Sequence, residues 1–156
     1  MLKRFASKAV SRLVLQPLFR QMRGMTLGTR TAVIDADRRV LLVRHNYGVG
    51  WHLPGGGVER GENIHMAARR ELREEAAVVA EEEPHLHGMF LNDHNFPGDH
   101  VACFDLRRFR QETFKPNAEI AEARFFDIRS LPEDTTAGTR RRLAEIFNGT
   151  TISRDW

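Results

Sequence analysis

Residues 69–78 read RRELREEAAV, and Glu71, Glu74 and Glu75 fall within five positions of one another. Like charges three or four apart on a helix repel, each pair costing about 0.2–0.5 kcal/mol. Carboxylates held this close need a cation. Several hard oxygen donors select Mg²⁺, Mn²⁺ or Ca²⁺ over zinc, and neither a Cys pair nor an HExxH pattern accompanies them. A Mg²⁺ held by protein carboxylates commonly completes its shell with waters and substrate phosphates. The same residues could instead form a solvated charged face, with Arg69, Arg70 and Arg73 as ion-pair partners.

The chain just upstream favours the cation. Pro54 to Gly57 read PGGG. Consecutive glycines reach backbone conformations closed to other residues and let the chain approach a ligand closely. Amides of Gly56 and Gly57, near a helix start, can meet phosphate oxygens. A glycine loop leading into three carboxylates describes a site for a metal-bound diphosphate.

These groups need a helix and strands to position them. Ile64, Ala68, Leu72 and Ala76 recur at steps of four, so residues 63–79 are expected to be a helix with one buried stripe. The neighbouring stripe Ala67–Glu71–Glu75 lies about 100° away, at the edge of the core. TRTAVID and RVLLVRH, joined by DADRR, read as an antiparallel hairpin. HLHGMFL, VACFDLRRF and ARFFDI are further strand candidates, and residues 137–147 form a closing helix. Strands outnumber helices without regular βαβ alternation, which gives an α+β fold, a mixed sheet with helices docked on it.

With 156 residues the chain suits one domain. The single cysteine, Cys103, lies in an apolar run and reads as a core residue in a reducing, cytoplasmic setting. Residues 1–34 hold seven of the 24 bases and none of the 21 acids, leaving 17 bases against 21 acids elsewhere. The basic pI therefore belongs partly to an N-terminal arm and is not a nucleic-acid signal for the whole domain. In that arm, residues 1–24, Leu2, Phe5, Ala6, Ala9, Val10 and Leu13 alternate with bases, an added amphipathic helix that Pro17 ends near Gln16. The arm fits a helix packed on its own domain or on a homodimer partner. A membrane-surface helix over residues 1–16 and a cleaved transit peptide are the other two possibilities. Residues 25–150 would form the catalytic domain and residues 151–156 a tail.

Gly56, Glu62, Arg70-Glu71-Leu72, Glu74-Glu75 and Val78 stand at the spacing of the Nudix box, and eight of its nine specified positions match. The chain thus resembles the Nudix, or MutT-like, hydrolases over about residues 30–148. The resemblance implies a mixed β-sheet sandwiched by helices. It also implies Mg²⁺-dependent hydrolysis, with Mn²⁺ as a substitute, of a nucleoside diphosphate linked to another moiety. Carried over by position, Glu71, Glu74 and Glu75 look like metal-binding carboxylates, and Gly55 would offer its carbonyl to a metal. Arg70 would orient a box glutamate, and Glu62 would support the junction of loop and helix. Glu74 is the first choice as general base, with Glu119 or Glu122 as alternatives.

The departure is Ala77, where the box has glycine. Alanine in a left-handed turn costs about 1–2 kcal/mol, so either that cost is borne or the helix ends differently, running toward Val79. Beyond the box, Trp51 could stack on a base and Arg44 could reach a phosphate. His85 and His87 share a strand face and read as surface or substrate-gating residues. The downstream tyrosine of dinucleoside polyphosphate hydrolases is absent, because Tyr47 is the only tyrosine. The substrate stays open, RNA bearing a 5′-triphosphate included. The competing class, a nucleotide-sensing Nudix-like domain without activity, would be favoured by loss of a box carboxylate, and all are intact.

Overall fold

The computed structural model describes residues 24–156. The amphipathic helix expected in the arm lies outside the described residues. In chain order the elements are β1 (Thr26–Val33), β2 (Arg39–His45), β3 (Trp51–His52), α1 (Ile64–Ala76), β4 (Val78–Ala80), β5 (His85–Leu91), β6 (Asp99–Leu106), β7 (Phe109–Gln111), β8 (Ile120–Asp127) and α2 (Ala137–Asn148).

β1 and β2 are the centre of the fold, and side-chain alternation along them feeds two cores. Ala32, Ile34, Val40 and Leu42 pack with Trp51, Leu53, Phe90, Cys103 and Leu143 of α2. Val33, Leu41 and Val43 pack with Leu106, Ile120 and the Leu72 and Ala76 of α1. One helix therefore covers each face, the mixed sheet between helices that the sequence suggested. Cys103 is fully buried, and burial pushes its thiol pKa up to about 12, as fits a packing residue. Among the described residues no helix is long and apolar enough to cross a membrane.

The strands are shared among three small sheets. β1 runs parallel to β6, which pairs antiparallel with β5. β2 lies antiparallel to β3 and β8, and β4 pairs with β7. The hairpin expected of β1 and β2 is reduced to one bridge, Ile34 to Val40, across a turn in which Arg38 has φ 61°. Beyond that bridge the strands part, because β6 satisfies β1 in register from Thr26 opposite Asp99 to Val33 opposite Leu106.

Helix α1 starts at an Asn63 cap whose side chain accepts a hydrogen bond from Met66 N at 2.9 Å. It ends one residue before Ala77, which adopts the left-handed conformation at φ 53° and ψ 37°. The chain thus keeps the turn without the glycine and bears its cost. The Ala77 N–H donates back to the Arg73 and Leu72 carbonyls. The next residues enter β4 instead of extending the helix to Val79.

Candidate active site

Three segments converge on the carboxylates of α1: the PGGG loop, the middle of β1, and the turn before β8. The loop is stitched along β1 by Thr31 N to Pro54 O (2.9 Å), Thr29 N to Gly56 O (2.8 Å) and Val58 N to Leu27 O (2.9 Å). Such close approach needs glycine. A Cβ on Gly55, at φ 144°, would stand 2.0 Å from Thr29 O, and one on Gly56 would stand 2.5 Å from Glu71 Oε1.

Glu71 and Glu75 are buried at the core edge, whereas the Glu74 side chain is 59% exposed. Glu75 accepts a hydrogen bond from Gly55 N at 2.7 Å. Burial nevertheless pushes its pKa up to about 7, against the pull of that N–H and of the Arg30 charge, with Glu71 and Glu119 adding to the rise. Burial raises Glu71 as well, opposed by Arg70.

Arg70 ties the motif together. Its Nε and Nη2 hold Glu62 at 3.2 and 2.7 Å, Nη1 reaches Glu71 at 2.7 Å and Glu74 at 3.2 Å, and Nη2 also donates to Gly57 O at 2.9 Å. These carboxylates raise the Arg70 pKa, the Glu62 bond most. The Arg70 bond in turn lowers that of Glu62, which also accepts from Glu59 N at 2.7 Å. One guanidinium fork thereby fixes the loop, the helix start and two of the three carboxylates.

Glu71, Glu74 and Glu75 line a cavity of about 260 Å³ together with Asn117, Ala118, Glu119 and Ile120. Glu119 thus joins them, whereas Glu122 turns away to Arg44 and Arg124, at 3.7 and 3.6 Å. Two expected substrate contacts are placed elsewhere. Trp51 is a core residue, 3% exposed, packed edge-on against Phe126 and covered by the Arg44 guanidinium 4.9 Å above its ring. Arg44 is held by Asp134 at 2.9 Å, and neither residue lines this cavity or the larger one described below.

One residue that the sequence analysis did not single out belongs here. Arg30, on β1, donates from Nη1 to Leu53 O at 3.1 Å and to Gly55 O at 2.5 Å. Burial lowers its pKa, while the charges of Glu75 and Glu71 act to raise it. The available signal was a lone arginine inside a β-branched run, between Thr29 and Thr31.

Among the described residues no three His, Cys, Asp or Glu side chains stand gathered as a ready-made metal cluster. Arg70 engages Glu71 and Glu74, and Gly55 N engages Glu75. The donor set still fits a hard cation. It is all oxygen, it sits on one helix beside the glycine loop, and burial raises two of its carboxyl groups, a cost that a bound cation would offset.

A second, larger cavity of about 1140 Å³ opens on the other side of the glycine loop, from Arg30, His52, Gly56 and Gly57 to the 91–96 segment and the start of α2.

The family model for the NUDIX domain matches residues 25–146, and the chain belongs to the NUDIX family. It is 31% identical over 106 residues to an ADP-ribose pyrophosphatase of Methanocaldococcus jannaschii, covering 65% of this chain and 62% of that protein. To an RNA pyrophosphohydrolase of Novosphingobium aromaticivorans it is 56% identical over 52 residues, 31% of this chain and 32% of that protein. The chain therefore spans less than two thirds of the length of these relatives. Among solved structures it is similar to a MutT NUDIX hydrolase from Burkholderia pseudomallei, with TM-score 0.68 and 24% identity over 78% of this chain and 97% of that one. It is also similar to an ADP-ribose pyrophosphatase from Streptococcus suis, with TM-score 0.62 and 26% identity over 82% and 96%.

Proposed function

We propose that this protein is a divalent-metal-dependent hydrolase that cleaves the diphosphate linkage of a nucleoside diphosphate joined to another moiety. The observation that carries this is that Glu71, Glu74 and Glu75 line one cavity beside a glycine loop whose backbone has no side chains to keep a phosphate away. Glu71, Glu74, Glu75 and the Gly55 carbonyl would hold Mg²⁺, or Mn²⁺ in its place. Such a cation, when bound, neutralises diphosphate charge and lowers the pKa of coordinated water.

The chain's own residues supply the rest. Arg70 keeps Glu71 and Glu74 from splaying apart and ties Glu62 to the loop. Gly56 and Gly57 let the diphosphate lie against the backbone. Glu74, the most exposed of the three, is placed to accept a proton from the attacking water. Glu119, across the same cavity, is the alternative base that this reading favours over Glu122, which pairs with Arg44. The names of the relatives extend to ADP-ribose and RNA substrates, and both belong in the test. That test is a screen with Mg²⁺ against nucleoside triphosphates, ADP-ribose, NADH, dinucleoside polyphosphates and 5′-triphosphate RNA, followed by release of nucleotide and phosphate. Metal-dependent turnover of at least one substrate is expected. No turnover of any, with nucleotide binding retained, would instead identify a sensor.

A further inference from the structure

The tail expected over residues 151–156 is built into the molecule. Leu91 N donates to Arg154 O at 3.0 Å and Trp156 N to Leu91 O at 2.9 Å, so the tail adds a short parallel segment beside β5. A buried polar cluster holds it there. Arg142, fully buried in α2, donates to Asp155 O (3.0 Å), Ser153 Oγ (2.7 Å) and Glu145 Oε1 (2.7 Å), and its guanidinium lies 3.7 Å above the Phe90 ring. Glu145 in turn accepts from Ser153 N at 2.9 Å and meets His87 Nε2 at 2.8 Å. His87, its side chain 11% exposed, is thus a partner of Glu145 and not a surface residue. Taking a guanidinium and a carboxylate out of water is costly unless both are well paired. Here much of that pairing comes from Ser153 and Asp155.

The cluster fixes Trp156. Its indole occupies the place of a missing side chain, since a Cβ on Gly138 would lie 2.4 Å from Trp156 Nε1. Glycine inside a helix costs about 1 kcal/mol relative to alanine, and the indole is what that glycine admits. Trp156 also meets Phe90 edge-on, with ring centroids 6.1 Å apart. Asp155, Trp156 and Gly138 line the larger cavity, which continues to Gly56 and Gly57. Phe96 adds a second aromatic ring, and Asp93 and Asp99 place carboxylates that repel phosphate.

We propose that residues 153–156 are a fixed wall of the substrate cleft and that Trp156 is the surface on which the uncharged, heterocyclic end of the nucleotide packs. The inference rests on the proposed function in one respect, that the diphosphate lies at Gly56 and Gly57. The part of the substrate beyond it then extends toward Trp156. Trp156 is a specificity-determining residue on this account and has no part in the hydrolytic step.

The experiment is metal-free calorimetric titration of the full chain with AMP, GMP, UMP and CMP, and separately with inorganic pyrophosphate. Trp156→Ala should weaken the best-bound nucleoside monophosphate by at least ~10-fold, the scale of one base–aromatic contact. Pyrophosphate affinity should stay within about twofold, and Trp156→Phe should keep most of the nucleotide affinity. Equal affinities in wild type and Trp156→Ala, a parallel loss for pyrophosphate, or no binding of any monophosphate by wild type would overturn the proposal. Should Trp156→Ala fail to fold, intrinsic fluorescence decides. Nucleotide should quench the wild type and leave Trp156→Phe unquenched, because Trp51 is buried. Quenching retained in Trp156→Phe overturns the proposal. A protein that hydrolyses nothing in the substrate screen yet binds nucleotide through Trp156 would remove the hydrolase reading and leave this one standing.

Discussion

Glu75 shows how one residue carries both the cost and the purpose of the site. It is 5% exposed, accepts a single backbone hydrogen bond, and has its pKa pushed from 4.5 to about 7. A raised carboxyl pKa means that the folded state binds its proton more tightly than the unfolded chain. The associated stability is fully present below pH 4.5 and is lost as pH rises through about 7, on the order of 3 kcal/mol in all. Metal-free Glu75→Gln should therefore melt above the wild type at pH 8 and show no such gain at pH 5, read by calorimetry. A pH-independent difference would contradict this account of Glu75. Ala77 makes a separate case. Because it holds φ 53° without being glycine, Ala77→Gly should stabilise by about 1 kcal/mol and raise the melting temperature by ~2–4 °C. Spacing alone identified both residues. The burial that shifts Glu75 depends on the loop folding over it, which no local pattern states. Arg30 was illegible for the same reason, since its partners Leu53 and Gly55 arrive from another part of the chain.

Helix α1 and the glycine loop act as one element, joined by Arg70 and by the contact of Gly56 with Glu71. Gly56→Ala puts a methyl group 2.5 Å from Glu71 Oε1, and a side chain must move to admit it. We expect turnover to fall more than ~10-fold, as misplacement of catalytic groups does, while circular dichroism stays native. Wild-type turnover would mean that the position of Glu71 is not critical. The four-residue step of Ile64, Ala68, Leu72 and Ala76 made the helix legible, and β5 and α2 could be read in the same way. The two- and three-residue strands β3, β4 and β7 are too short for a period to appear. The β1–β2 turn was visible but its partners were not, since pairing with β6 and β8 is a long-range choice. Trp51 beside a glycine loop suggested stacking, and only the packing of Phe126 and Arg44 shows it to be core.

At the scale of the whole molecule, a central pair of strands divides the interior into two cores, each closed by one helix. The carboxylates lie at the edge of the α1 core, and the larger cleft runs from the glycine loop to the start of α2. The match to the NUDIX domain begins at residue 25, so a chain lacking residues 1–23 should keep its kcat/KM on whichever substrate the screen identifies. A loss would place the arm in catalysis. The whole-molecule plan was legible as a family pattern because the box spans loop and helix together. The tail was not, because its anchors Arg142, Glu145 and His87 are scattered along the chain. The central claim is that three glutamates on one helix hold the cation that makes diphosphate hydrolysis possible. It is tested most directly by initial rates with and without Mg²⁺ for the wild type, Glu74→Gln and Glu75→Gln on one hydrolysed substrate. The account predicts Mg²⁺-dependent turnover in the wild type and a drop of at least ~100-fold in each variant. Near wild-type rates in both variants, or turnover indifferent to Mg²⁺, would contradict it.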